Sequence, residues 1–407
     1  MTAAQVHPYA GRRVLLGVAG GIASYKTAWL ARLLTKAGAE VDVVMTRAAT
    51  EFVGAVTFEA LTGRRVHTGL FDAGRALDHI ALAKSADCVV VAPATADLMA
   101  RAATGQADDL LTAVLLATDA PVLLVPAMND RMWAHAQTQA NAAHLRDLGY
   151  ELLDPDDGML AAGEGSGPGR MPEPETIFAH VGRVLERRDG LRGRTVLVTA
   201  GPTREQIDPV RFLSNYSTGK MGVAIASAAW RRGAKVILVA GPLGVPVPIG
   251  VTHVPVQSTT EMRDAVAAHV GDADLLVMAA APADYQPTER APGKLKKTGS
   301  VRALELRETP DILLSTKSAR RKGAVAVGFA LETDDLLANA RRKLDGKGLD
   351  MVVLNAANEP GAGFGVDTNR VTIVRRGQDE PEQLPLLDKR EVADAILDRA
   401  EALFGGR

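Results

Sequence analysis

The sequence predicts two consecutive α/β domains, each a doubly wound, mostly parallel sheet, spanning residues 1–190 and 191–407. Three observations predict this. Short β-rich apolar runs alternate with longer helical patterns along the whole chain. The runs are apolar on both faces, as in strands covered by helices on each side. A chain of 407 residues also exceeds one ordinary core.

In the first domain, RRVLLGVA (12–19), VDVVMT (41–46), DCVVVAP (87–93) and PVLLVPAM (121–128) read as strands. Between them, SYKTAWLARLLTKAG (24–38), which closes on Gly38, and ADDLLTAVLLAT (107–118) read as helices. LAAGEGSGPGRMPEP (160–174) carries four glycines and three prolines, so it is a loop: a passive linker or a flap over chemistry. PETIFAHVGRVLERR (174–188) reads as a helix, and the polar RDGLRGR (188–194) as the boundary. The second series of strands runs TVLVTA, AKVILVAG, LLVMAA, AVAVGFA, DMVVLNA and NRVTIVRR, and closes on the helix KREVADAILDRAEALF (389–404).

Composition narrows the function classes. The formal net charge is -1, so no electrostatic case exists for nucleic acid or an anionic membrane. A single cysteine, Cys88, excludes an internal disulfide framework and a multi-cysteine metal site. The N-terminus lacks an apolar signal core, and no apolar run approaches the ~20 residues of a membrane helix. A soluble cytoplasmic protein is the expectation.

Chemistry in such sheets gathers beyond the carboxyl ends of the strands. The first strand runs into GVAGGIASYK, where Gly20 and Gly21 permit a tight turn and the next helix aims its N–H groups at an anion. Ser24 adds a hydroxyl. Thr46 follows the second strand, Thr95 the third, and VPAMNDRMW brings Asn129 after the fourth. A Gly-Gly turn alone is usually only a turn; four polar strand ends on one sheet edge indicate a cofactor crevice. His79 opens the helix before the third strand, a position where a lone histidine is usually a cap or solvated.

GGIASYK, HIALAKSADCVVVAPATADLMAR and the Pro126–Trp133 signature resemble the flavin-containing cysteine decarboxylases, phosphopantothenoylcysteine decarboxylase among them. The resemblance covers nearly all of residues 10–185. It implies a flavodoxin-like flavoprotein domain with FMN bound across the subunits of a trimer, at Gly20, Gly21, Ser24, Thr46 and Thr95. It also implies a substrate ending in cysteine, whose side chain FMN oxidises to a thioaldehyde. Carbon dioxide then leaves, and reduced flavin saturates the ene-thiol. His79 would handle protons near the thiol. Asn129 would hold the carboxylate without over-stabilising the ground state. Gly167 to Met171 match the end of the family's flap, with Arg170 a candidate tether, which favours the flap over the linker. That flap usually reads Ala-Cys-Gly-Asp, and its cysteine donates the last proton. This chain reads Ala161-Ala162-Gly163-Glu164. Either another group, Glu164 or a water, protonates the intermediate, or the reaction stops at the ene-thiol.

The second domain opens with TVLVTAGPTREQIDPVRFLSNYSTGKMG, a strand, a loop and a helix start laid out as a phosphate cradle. It is not a Walker A motif, because Ser214 stands five before Gly219 and Met221 follows Lys220. Asp284 follows a later strand. Lys294, Lys296 and Lys297 form a basic loop, either a solvated face or a lid that clamps phosphate. Lys343 and Lys347 are four apart and would share a helix face.

This half resembles the phosphopantothenate–cysteine ligases over roughly residues 191–400, on DPVRFLSNYSTGKMG and the Lys-x-Lys-Lys loop. The order of the halves matches the bacterial fusion family of coenzyme A biosynthesis. The resemblance implies a Rossmann-like ligase joining 4'-phosphopantothenate to L-cysteine with CTP and Mg²⁺, through an acyl-cytidylate. Asn215 would contact that intermediate, with Arg211 beside it near a dimer interface, and Lys294 would stabilise phosphoryl charge. Nucleotide contacts would come from Ala279, Ala280, Asp284, Pro310, Asp311, Ile312, Phe329, Lys343 and Lys347. Trimeric flavin domains and dimeric ligase domains would close into a homo-oligomer, most simply a dodecamer. The rivals are a flavin-binding regulatory protein and a dinucleotide-dependent oxidoreductase; neither first turn carries the GxGxxG that the latter needs.

Overall fold

The computed structural model describes residues 8–70, 77–160, 163, 165–296, 303–332, 336–356, 363 and 365–404. The chain divides into two compact units, residues 1–186 and 187–407.

The first unit runs β1 (Arg13–Val18), α1 (Ser24–Lys36), β2 (Glu40–Met45), α2 (Ala55–Thr62), β3 (Val66–His67), α3 (Asp78–Ser85), β4 (Cys88–Ala94) and α4 (Ala96–Ala103). It continues α5 (Leu110–Ala117), β5 (Val122–Pro126), α6 (Asp130–Ala134), α7 (Ala136–Asp147), β6 (Glu151–Leu152), β7 (Asp156–Met159), β8 (Ser166–Arg170) and α8 (Pro174–Leu185). The sheet is parallel in the order β3-β2-β1-β4-β5-β6. Without the two-residue edge strand β3, the order is β2-β1-β4-β5-β6, the flavodoxin pattern. Alternation along each strand builds two cores. Val14, Leu16 and Val18 face one cluster with Leu30, Leu34 and Ile177. Leu15, Val89 and Val91 face the other with Leu98 and Leu111. Each fully buried Val or Leu contributes about 1.5–3 kcal/mol, so burial on both faces holds the sheet between its two helix layers.

Two polar devices stiffen the edge where the strands end. Arg101 on α4 joins Asp97, Asp108 and Asp109, and Asp109 caps α5 by accepting from the Thr112 N–H at 2.8 Å. The antiparallel hairpin β7–β8 is seated on the loop after β5, where the Met128 N–H donates to the Gly169 carbonyl at 3.0 Å. A Cβ at residue 169 would lie 2.2 Å from the Met128 carbonyl oxygen, so only glycine allows this approach. Lys26 Nζ donates to the Met171 carbonyl and to Glu173, each at 3.1 Å, and so holds the far end of the hairpin. Ala161, Ala162 and Glu164, the altered flap residues, lie outside the described residues.

The second unit begins β9 (Thr195–Ala200), β10 (Arg204–Gln206), β11 (Phe212–Ser214), α9 (Lys220–Arg231), β12 (Lys235–Ala240), β13 (Thr252–Pro255), α10 (Thr259–His269) and β14 (Leu275–Met278). Then come β15 (Tyr285–Pro287), β16 (Leu306–Glu308), α11 (Ile312–Ser315), β17 (Val325–Glu332), α12 (Leu336–Gly346) and β18 (Met351–Ala356). The last elements are β19 (Thr368–Asn369), β20 (Val371–Arg375), β21 (Glu382–Gln383), β22 (Leu387–Asp388) and α13 (Lys389–Ala402). The main sheet runs β13-β12-β9-β14-β17-β18-β20-β21. Its first six strands have the order of a dinucleotide-binding fold. The strand expected at NRVTIVRR departs from the parallel pattern. β20 is antiparallel to β18, because no helix among the described residues provides a crossover between them. At the end of α9, fully buried Arg232 donates to Asp394 and Glu401 of α13, each at 2.8 Å.

The close approach at Gly169 predicts that Gly169→Ala destabilises the hairpin seat by about 1–3 kcal/mol, as overpacking does. Faster proteolysis within residues 156–170 of the variant would register it, and an unchanged rate would contradict it. A second expectation concerns pH. Burial opposes ionisation of Asp109, but the Thr112 donors and Arg101 outweigh it and hold the carboxyl below its ordinary value. Its stabilisation is therefore complete above the unfolded value of about 3.9 and is lost as pH falls through the folded value. The protection factors of the α5 amides, with intrinsic exchange divided out, should fall as pH drops below about 3.9, and Asp109→Asn should flatten that dependence.

Candidate active sites

In the first unit, the turns after β1, β2, β4 and β5 open onto a cavity of about 850 Å³. Gly20, Gly21, Thr46, Thr95 and Asn129 all line it. Gly20 makes the first turn possible, since a Cβ there would stand 2.3 Å from the Ala48 methyl. Thr46 and Thr95 cap the following turns, accepting from the Ala49 and Leu98 N–H groups at 3.2 and 3.3 Å. Asn129 Oδ1 accepts from the Arg131 N–H at 3.0 Å, so its side-chain N–H groups are what it can offer a ligand. Lys26, Arg47, Arg101 and Arg170 face Asp97 and Asp109 around the cavity, a positive balance suited to an anionic ligand.

Two expected residues stand apart from this lining. Ser24 is wholly buried at the start of α1, and its Oγ has no hydrogen-bond partner among the described residues. His79 lies on α3, which packs against α5, and its buried Nδ1 likewise has no partner. Its neighbour Asp78 meets His67 Nδ1 at 3.2 Å, which ties the start of α3 to β3. Orphaned buried polar atoms are rare in native folds, and among the described residues only Arg232 Nε and Arg320 Nε share this state.

In the second unit, hydrogen bonds gather most of the expected residues at the carboxyl ends of β9, β14 and β17. The Ala280 N–H donates to Thr199 Oγ1 at 3.1 Å, which fixes the Ala279–Ala280 turn on β9. Asn215 Nδ2 donates to the Ala281 and Pro282 carbonyls at 3.1 and 3.0 Å. The Asp284 carbonyl accepts from Thr309, next to Pro310, at 2.9 Å. Asp311 caps α11, which starts at Ile312, and pairs with Lys347 at 2.8 Å. Burial of Asp311 opposes ionisation, but Lys347 and the helix N–H groups prevail and lower its pKa. Lys343 Nζ donates to the Phe329 carbonyl at 2.9 Å. Lys347 sits one residue past α12, which stops at Gly346, yet its N–H still bonds the Lys343 carbonyl at 3.1 Å. The shared helix face expected of the two lysines thus becomes a helix end. Lys294 is exposed, and Lys297 lies outside the described residues.

Sequence reasoning missed the groups that position these residues. Arg101, Asp97 and Asp109 line the cavity; the Asp97–Arg101 spacing of four and the Asp109–Thr112 capping box were the available signals. Beneath the ligase loops, Glu205 Oε1 accepts from both the N–H and Oγ1 of Thr259 at 2.9 Å. Thr203 Oγ1 accepts from the Ala283 N–H at 2.9 Å. Asp208 accepts from Arg211 and the Leu295 N–H. Asp208-Pro209 is a turn-opening pair, and that was its signal.

Residues 3–186 match the Flavoprotein family, and residues 191–403 match the DNA/pantothenate metabolism flavoprotein C-terminal domain. The chain is 44% identical over 401 residues to the coenzyme A biosynthesis bifunctional protein CoaBC of Vibrio vulnificus (strain YJ016), covering 97% of this chain and 99% of that protein. It is 48% identical over 375 residues to the CoaBC of Mycolicibacterium smegmatis, covering 88% and 90%. A solved C-terminal domain of a CoaBC protein is 40% identical and aligns with 54% of this chain and all of that one, at a TM-score of 0.46. The chain therefore belongs to the family of bifunctional coenzyme A biosynthesis proteins, with a flavoprotein phosphopantothenoylcysteine decarboxylase first and a phosphopantothenate–cysteine ligase second.

Proposed function

We propose that the chain makes 4'-phosphopantetheine from 4'-phosphopantothenate, L-cysteine and CTP, in the cytoplasm, with FMN in its flavin half. The observation that carries the ligase reading is the hydrogen-bonded assembly of Asn215, the 279–284 segment and the Lys294 loop. The substrate carboxylate attacks the α-phosphate of CTP, an acyl–phosphate bond forms, and pyrophosphate leaves. Cysteine's amine then attacks the acyl carbon, loses its proton, and displaces CMP. Lys294 offsets the charge that builds on the phosphoryl group in the transition state. Asn215 is aimed at the acyl-cytidylate by its anchor on Ala281 and Pro282. Ala279, Ala280, Asp284, Pro310, Asp311, Ile312 and Phe329 enclose the nucleotide, with Lys343 and Lys347 as the nearby cations. Among the described residues no group of three or more His, Cys, Asp or Glu could hold a metal ion. The Mg²⁺ is therefore assigned to the triphosphate, where such ions usually bind.

The flavin cavity fits FMN through its positive lining and the N–H groups at the Gly20–Gly21 turn, while Ser24, expected among the contacts, lies outside that lining. When bound, FMN supplies a reversible two-electron oxidation of the cysteine side chain. Asn129 donates to the substrate carboxylate, a neutral contact that does not deepen the ground state. His79 is assigned the thiol proton, although its unpartnered Nδ1 lies outside the lining of this chain's own cavity. The β7–β8 hairpin keeps water from the ene-thiol. A second reading rests on Ala162, where the family's flap has cysteine: decarboxylation stops at the ene-thiol. Cys88 is no substitute, because burial in β4 pushes its thiol far up.

Exposed apolar side chains support assembly: Ile22, Tyr25 and Trp29 on the flavin half, Val210, Phe212 and Tyr285 on the ligase half. Trimeric flavin and dimeric ligase contacts close as a dodecamer. No helix among the described residues is long and apolar enough to cross a membrane.

The purified protein should be yellow, with one FMN per chain, and should release pyrophosphate only with phosphopantothenate and CTP together. Product mass separates the two readings, since the ene-thiol is lighter than 4'-phosphopantetheine by two hydrogens. A colourless protein that cannot be reconstituted with FMN would sink the flavin assignment, and no turnover with CTP would sink the ligase assignment. Lys294→Ala should lower ligase kcat by about 10²–10³-fold, the scale of removing one electrostatic transition-state contact.

A further inference from the structure

We propose that Asp208 and Arg211 form a two-point clamp on the backbone of Leu295 that positions Lys294 for the ligase reaction, Asp208 being a positioning residue. The inference rests on the ligase role assigned to Lys294.

Residues 207–211 make a turn to which the Lys294 loop is fastened at both feet. At one foot, the Ala291 N–H donates to the Ile207 carbonyl at 2.9 Å. At the other, Leu295 is held by both its backbone polar groups. Its N–H donates to Asp208 Oδ2 at 3.1 Å, and its carbonyl accepts from Arg211 Nη2 at 2.8 Å. Pro292, Gly293 and Lys294 span the two feet. The same turn leads through β11 to Asn215, so both proposed ligase residues take their positions from one short segment.

Asp208 suits this task because it is fully buried and saturated with donors. Its Oδ1 accepts from the Val210 and Arg211 N–H groups, each at 2.8 Å. Its Oδ2 accepts from Arg211 Nε at 3.0 Å as well as from Leu295. Arg211 first, against the opposing effect of burial, and then these N–H groups hold the carboxyl far below its ordinary range. An asparagine would offer one acceptor oxygen and turn an N–H₂ toward a cation or an N–H donor. Lysine at 211 would keep the charge but lose the planar fork that reaches Asp208 and Leu295 together. Arg211, expected beside the intermediate, has its guanidinium committed to this joint.

The test uses full-length Asp208→Asn and Arg211→Lys proteins, with trypsin as the first probe, because Lys294 and Lys296 are cleavage sites beside the clamp. We expect cleavage after these two residues to quicken by about tenfold or more in each variant, as local opening of one segment does, with rates elsewhere unchanged. Ligase kcat should fall by about 10²-fold, the cost of an ångström-scale misplacement, while KM for cysteine stays within about threefold. The double variant should be no worse than the poorer single one, because one device is removed once. Unchanged cleavage after Lys294 in both variants overturns the clamp and leaves the role of Lys294 standing. Faster cleavage everywhere also overturns it, since the pair would then be a general fold element. Full ligase turnover by Lys294→Ala removes Lys294 from the reaction, and the proposal with it.

Discussion

A strand buried on both faces has no side on which to display chemistry. In each half of this protein the sheet is parallel through its centre, and helices cover both of its surfaces. Only the carboxyl ends remain, where each strand must turn outward and unpaired N–H groups gather. This constraint decides where everything else lies. It stacks the turns at Gly20, Thr46, Thr95 and Asn129 along one edge of the first sheet. It also brings Ala279–Asp284, Asp311 and Phe329 to one edge of the second. The apolar cores supply a rigid platform, and function is confined to its rim.

The two rims are completed differently. In the ligase half, buried Thr203, Glu205, Asp208 and Thr259 satisfy one another or nearby backbone, and they tie three loops into one unit before any substrate arrives. Such preorganisation suits a reaction whose transition state is stabilised by fixed charge. In the flavin half, Ser24 Oγ and His79 Nδ1 are buried and unmatched. Arg232 Nε and Arg320 Nε are likewise buried and unmatched in the second half, so the contrast is confined to the residues expected at each site.

Much of the fold could be read from the residues because burial on both faces leaves a strong mark: uninterrupted runs such as those around Val90 and Val277. The glycine turns and polar strand ends were readable for the same local reason. The antiparallel β20 was not, since its direction depends on a connection without a helix rather than on its own residues. The seat of the β7–β8 hairpin was hidden as well, because it depends on Gly169 approaching a carbonyl more than forty residues away in sequence. The link from Asp208 to Leu295 spans 87 residues, and no local pattern encodes a partner at that distance. What the sequence conveys well is which residues could act; what it conveys poorly is which ones hold them still.

Arg232 carries a consequence for how the polypeptide is made. Its guanidinium is sealed from solvent, and the carboxylate that meets it, Asp394, is synthesised 162 residues later. A buried charge whose partner is removed costs about 3–5 kcal/mol, a large share of a domain's stability. A nascent chain that has completed β9 to β18 but not α13 must therefore keep the end of α9 hydrated and undocked. The flavin half, finished before residue 187, faces no such wait. On the ribosome the two halves would mature at different times, the first while translation continues and the second only once its final helix has emerged.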